Sequence, residues 1–209
     1  ELRDEGFSDT EIRDIFKNVY EVSDEKTELA LKVADNEKAL LDNIGNNSIS
    51  LYIGIPFCPT RCVYCSFVST DIRTSGKYMA DFVDKLLLEI EKTGELVKKS
   101  GVYVENVYIG GGTPTTLSSE DFKRVMEKLY SCFDLSGLIE FTVEAGRPDT
   151  ITKEKLDVLK KYGVNRISIN PQSMNDKTLK KIGKHSVDDE LNCGGCGYPG
   201  CHGFAEALS

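Results

Sequence analysis

"IGIPFCPTRCVYCSF", Ile53 to Phe67, is the stretch on which the reading of the chain turns. It opens with an apolar run in strand pattern and then sets Cys58, Cys62 and Cys65 in the spacing C-x3-C-x2-C. Thiolates are soft ligands suited to zinc or to iron–sulfur clusters. A closed structural zinc site takes four ligands, and no His and no fourth Cys lies nearby. A [4Fe–4S] cluster has four irons to ligate, so three thiolates leave one iron open to another molecule. A zinc knuckle or a group of buried thiols stays open as an alternative at this point.

The strand pattern recurs on either side. "ISLYIGI" (49–55), "VYVENVYIG" (102–110), "LIEFTVEA" (138–145) and "VNRISIN" (164–170) read as strands, followed in turn by helices over 78–93, 118–133, 152–163 and 175–183. Ser118 is placed as a helix cap and Gly163 as a stop. Four β–α units in series predict parallel strands with crossover helices, in an open sheet or a barrel. In such folds sites are built from loops at the carboxyl ends of strands. Those loops carry the cysteines, then "GGGTPT" (110–115), "GRPD" (146–149) and "PQSMND" (171–176). Glycine lets a backbone approach a ligand closely, and Pro114 stiffens its turn.

Three segments are expected. Residues 1–48 read as helical, with "SDTE" (Ser8 to Glu11) as a capping box and a second helix over 24–44 that places Leu29, Val33, Leu40 and Leu41 on one side. Residues 49–189 hold the β–α units. Residues 190–209 are rich in Gly and Cys, with C-x2-C-x4-C at Cys193, Cys196 and Cys201. Seven cysteines in two tight groups, with Cys132 alone, make a poor disulfide framework and read better as metal ligands. The 209 residues are 29% charged and 40% hydrophobic with a net charge of −8, which argues against nucleic acid or an anionic membrane as the main partner. No apolar run reaches the ~18 residues a membrane span needs. No signal-peptide pattern is present, so a cytoplasmic location is expected. The chain starts without Met, so the true N-terminus is expected upstream, or processed or trimmed.

The cysteine spacing, with Tyr64 just before the last Cys and a Gly-rich segment after the second strand, resembles the radical S-adenosylmethionine (SAM) superfamily. The resemblance implies a partial (β/α) barrel, about four of the family's six units. It implies a [4Fe–4S] cluster on Cys58, Cys62 and Cys65, and SAM on the open iron. Within the superfamily, "LYIGIPFCPTRCVYCSF", "GGGTPT", "FTVEAGRPDT" and "SINPQSMNDKTLKKIGKH" resemble the oxygen-independent coproporphyrinogen III oxidase group, nearest its HemZ-type coproporphyrinogen dehydrogenases. Matched position by position, Tyr52, Tyr64, Gly111, Gly112, Thr113, Glu144 and Gln172 become SAM contacts, and Lys184 stands where the group has an Arg. The bland readings are that Tyr52 packs a strand, that Glu144 pairs with Arg147 or a Lys, and that Gln172 is an ordinary loop residue.

The chain departs from the group's best-known oxidases in three places. Ser66 and Phe67 follow the triplet where those carry a further Cys, Gly54 replaces a His, and Lys184 supplies charge without a planar fork. These differences leave room for a haem chaperone on the same fold. A porphyrinogen or haem-like molecule is the expected partner, with flavodoxin or ferredoxin as electron donor. The tail resembles the four-cysteine iron–sulfur module of the Rnf complex B subunit, whose fourth Cys lies farther downstream. It therefore implies a second [4Fe–4S] cluster if completed, or an electron-transfer fragment; zinc or a disordered thiol tail is the alternative. With about four of six units, an edge strand is exposed and core is lost, so the isolated chain is expected to be unstable or inactive. The tail is expected to be either a natural fusion supplying electrons to the first cluster or an artificial join near Asp189, which the missing initiator, strands and fourth Cys favour.

Overall fold

The computed structural model describes residues 2–182 apart from 43, 46, 171 and 174. Lys184, Cys193, Cys196 and Cys201 lie outside the described residues. The chain divides into two units, Glu1–Asn46 and Asn47–Ser209.

In the first unit, the Ser8 hydroxyl accepts the backbone N–H of Glu11, and the Glu11 carboxylate accepts the backbone N–H of Ser8. This reciprocal capping box opens α1 (Asp9–Asn18). Ser23 caps α2 (Asp24–Leu41). Ion pairs join the helices: Arg3 reaches both Asp9 and Asp35, and Arg13 reaches Glu28. The apolar side expected of the second helix is present, but Leu29, Val33, Leu40 and Leu41 are exposed, and the buried residues are Thr27 and Leu31. α1 meets another face of α2: Ile12 and Phe16 lie with Ala30, Leu31 and Ala34.

The second unit begins with β1 (Ser48–Ile55), then β2 (Phe57–Cys58), β3 (Thr70–Asp71), α3 (Ile72–Ser75) and α4 (Met79–Ser100). β4 (Tyr103–Gly111), α5 (Ser119–Cys132), β5 (Glu140–Glu144), α6 (Lys153–Lys161), β6 (Arg166–Ser168) and α7 (Asp176–Lys181) follow. The four longer strands form one parallel sheet in the order β1-β4-β5-β6, so the fold is α/β. Parallel neighbours require crossovers, which α4, α5 and α6 supply.

Side chains alternate along a strand, so each strand has two different faces. Ile53, Ile55, Val107, Ile109, Phe141 and Val143 are buried with Val83, Leu86 and Ile90 of α4, Phe122, Val125 and Leu129 of α5, and Leu156 and Leu159 of α6. Tyr52, Tyr108 and Glu144 fall on the alternate positions, on the other face. The expected elements are present with shifted ends. The sequence reading ends the helix of α4 at Thr93, before a glycine, but α4 runs on to Ser100. Gly94 is a packing point: a Cβ there would lie 2.8 Å from that of Cys132 on α5. Gly101, at φ +69°, is the residue that ends the helix.

Candidate cofactor site

The loops at the carboxyl ends of β1, β4 and β5 enclose a cavity of about 140 Å³. Cys58, Cys62 and Cys65 all line it, as do Tyr64, Gly111, Gly112, Thr113, Glu144, Arg147 and Gln172. The structure therefore brings together seven SAM- or cluster-candidates from two loops of the chain, plus Glu144 at the end of β5 and Gln172 after β6. Tyr52 lies at an adjoining cavity of about 400 Å³, which shares Phe67, Gly111 and Glu144 with the first.

The cysteine loop is closed at its base. Phe57 pairs with Thr70 and Cys58 with Asp71 in a two-strand parallel ladder, and Thr70 N–H donates to Pro56 O at 2.7 Å. Within the loop Cys65 N–H donates to Cys62 O at 3.1 Å. The Gly-rich segment is bonded directly to this loop. Gly112 N–H donates to Ile55 O and Thr113 N–H to Phe57 O, both at 2.8 Å, and the Thr113 hydroxyl donates to Cys58 Sγ at 3.4 Å. Contact is so close that a Cβ on Gly112 would meet Phe57 O at 2.8 Å and Cys58 Sγ at 3.0 Å. Gly111 takes φ +111°, outside the range of ordinary side-chain-bearing residues.

Glu144 is held from two sides. Tyr108 Oη donates to its Oε1 at 2.6 Å and Gly111 N–H to its Oε2 at 3.2 Å. The reading in which Glu144 pairs with Arg147 or a Lys is thus replaced, because Arg147 is turned to Asp149 and Thr60. The hydrogen bond to Glu144, and burial after it, push the Tyr108 phenol up to about 12. Tyr52 is 65% exposed and stacks on Tyr108 with ring centroids 5.8 Å apart. Burial, with the Glu144 charge second, raises its pKa as well. Gln172 is exposed, with the left-handed φ of +66°.

Two residues of this site escape the sequence reading in their actual roles, Tyr108 and Arg147. Tyr108 was legible only as the register partner of Tyr52 once the strands were paired. A third, Lys155, lies beneath: its Nζ donates to Thr115 O at 2.6 Å and Thr150 O at 2.8 Å, and burial pushes its pKa down. It ties the segment after β4 to that after β5.

The donor set fits an iron–sulfur cluster. Three thiols, soft ligands of the kind such a cluster takes, line one cavity together. Arg147, only 4% exposed, uses three of its five N–H groups on Asp149 and Thr60, and no protein acceptor among the described residues takes the other two. A buried donor in a cavity wall calls for an acceptor inside the cavity.

Comparison with known proteins agrees with the geometry. The family model of the radical SAM superfamily matches residues 52–193, and a model for an Fe–S cluster segment matches 189–209. The oxygen-independent coproporphyrinogen-III oxidase-like protein HemZ of Bacillus subtilis is 42% identical over 188 residues, covering 88% of this chain and 38% of HemZ. The haem chaperone HemW of the same organism is 40% identical, covering 65% of this chain and 35% of HemW. Among solved structures, coproporphyrinogen III oxidase (HemN) of Escherichia coli, a radical SAM enzyme, superposes with a TM-score of 0.59 at 29% identity, over 67% of this chain and 31% of HemN. The chain thus spans well under half the length of these relatives. With the family model covering most of the chain and the cysteine loop, Gly-rich segment and parallel sheet in place, the protein belongs to the radical SAM superfamily.

Proposed function

We propose that this chain carries the SAM-cleaving site of a porphyrin-directed radical enzyme, acting in oxygen-independent oxidative decarboxylation of coproporphyrinogen III. One observation carries the reading: three thiols, the Gly111–Thr113 backbone and the Glu144 carboxylate surround one cavity at the strand ends. When bound, a [4Fe–4S] cluster held by Cys58, Cys62 and Cys65 would supply the single electron for reductive cleavage of SAM, the source of the hydrogen-abstracting power that radical SAM chemistry uses.

The chain's own residues hold and orient. Cys58, Cys62 and Cys65 ligate the cluster. The N–H groups of Gly111, Gly112 and Thr113 are taken by Glu144, Ile55 O and Phe57 O, so this segment would offer SAM backbone carbonyl oxygen, to its amino group. Glu144, fixed by Tyr108 and Gly111, presents a carboxylate to a cationic ligand. Gln172, Tyr64 and Lys184 are further SAM contacts on this reading, and Tyr52 borders the place of the adenosine. Phe67, Val68, Ile55 and Phe82 give the adjoining cavity an apolar lining. Cys193, Cys196 and Cys201 in residues 190–209 are proposed ligands of a second cluster, with flavodoxin or ferredoxin as the outside electron donor.

The porphyrin substrate is supported by the names of HemZ and HemN. The match to HemW favours a second reading, haem transfer on the same fold. Anaerobic incubation of the reconstituted chain with SAM and dithionite separates them. Because the chain spans well under half the length of its relatives, slow formation of 5′-deoxyadenosine that rises with coproporphyrinogen III is expected. Haem retained on the chain, with no substrate-stimulated cleavage, would select the chaperone reading.

A further inference from the structure

Arg147 is the only cationic side chain among the described residues lining the cavity. A guanidinium stays charged at any working pH, and burying it costs heavily unless it is paired. Its pairing here is lopsided. Nε and Nη2 donate to the two oxygens of Asp149, both at 3.2 Å, and Nη1 donates to Thr60 Oγ1 at 3.0 Å. Asp149 is 25% exposed and does not line the cavity, whereas Arg147 is buried and does. The pair therefore presents its guanidinium, and not its carboxylate, to the cavity that the three thiols line. Thr60 sits between Cys58 and Cys62, so the same side chain ties the loop after β5 to the cysteine loop.

Resting on the cluster reading above, we propose that Arg147 is a positioning residue for that cluster. Through Thr60 it braces the C-x3-C loop, and its charge favours the reduced cluster, so that it sets the ease of one-electron reduction. Reduction adds one negative charge to a group already bearing thiolate ligands. A nearby fixed cation stabilises the added charge, and the Asp149 carboxylate behind it opposes the effect.

The test uses the full chain with Cys193, Cys196 and Cys201 replaced by Ala, so that any signal belongs to one site. The cluster is rebuilt anaerobically with iron and sulfide and titrated with dithionite and mediators, without SAM, under electron paramagnetic resonance. Arg147→Gln is expected to make reduction about tenfold less favourable, a fall of roughly 59 mV for a one-electron couple. Asp149→Asn is expected to shift the potential the opposite way. Thr60→Val should leave the potential in place and speed cluster loss to a chelator severalfold. Opposite shifts from the two charge variants are a signature that a purely structural brace does not give. If Arg147→Gln does not fold, Asp149→Asn and Thr60→Val still decide. Unchanged potentials in the charge variants that fold, or parent-like retention in Thr60→Val, overturn the proposal. A parent chain that takes up no cluster overturns the cluster reading itself, which is a separate result.

Discussion

Gly112 shows how a single missing Cβ can hold a site together. The Gly-rich segment is legible in the sequence as a loop that approaches a ligand, but in the fold it first approaches the chain's own cysteine loop. Gly112→Ala would force apart Phe57 O and Cys58 Sγ, so a loss of about 1–3 kcal/mol in denaturant stability is expected, with less iron bound per chain. Gln172 departs in the other direction. Its left-handed φ is a strained conformation for a residue with a Cβ, and it stands at the cavity. Gln172→Gly is expected to keep or raise Tm while weakening SAM binding by calorimetry. A fall in both would mean that Gln172 serves packing. Tyr108 gives a pH test. Its phenol is raised from 10.0 to about 12 by the bond to Glu144, so the fold favours the protonated form. The stability difference between the parent and Tyr108→Phe should therefore be full below pH 10 and shrink as pH rises through about 12, as read by denaturant titration at stepped pH.

At the scale of elements, the β–α series was legible because buried parallel strands and amphipathic helices carry strong periodic signals. The Ser8 and Ser118 caps were legible for the same local reason. The ladder of β2 with β3 was not, since two residues have no periodicity, and their pairing is fixed by the return of the loop. Tyr108 and Arg147 share this property. Each gains its role from a partner far along the chain, Glu144 for one and Thr60 for the other. Cys58, Cys62 and Cys65 were legible because their ligand geometry is local. Lys155 joins two loops by charged hydrogen bonds to backbone carbonyls, which are worth roughly 1.5–3 kcal/mol when buried. Lys155→Met leaves Thr115 O and Thr150 O without that donor. A loss near the lower end of that range is expected in thermal or denaturant unfolding, offset by the recovered cost of burying the ammonium.

For the whole molecule, one face of a parallel sheet is buried under helices and the strand ends collect the chemistry. The cysteine loop, the Gly-rich segment and the loop after β5 lie apart in sequence and converge only because their strands are neighbours in the order β1-β4-β5. That convergence makes the central claim, that Cys58, Cys62 and Cys65 hold a cluster with an iron open to SAM. The most direct measurement is iron and acid-labile sulfide per chain after anaerobic reconstitution, with Cys193, Cys196 and Cys201 replaced by Ala, followed by SAM and dithionite. The account predicts about four irons per chain and formation of 5′-deoxyadenosine, with both lost in Cys58→Ala. Iron content unchanged by Cys58→Ala, or a fully loaded chain that leaves SAM intact, would contradict it.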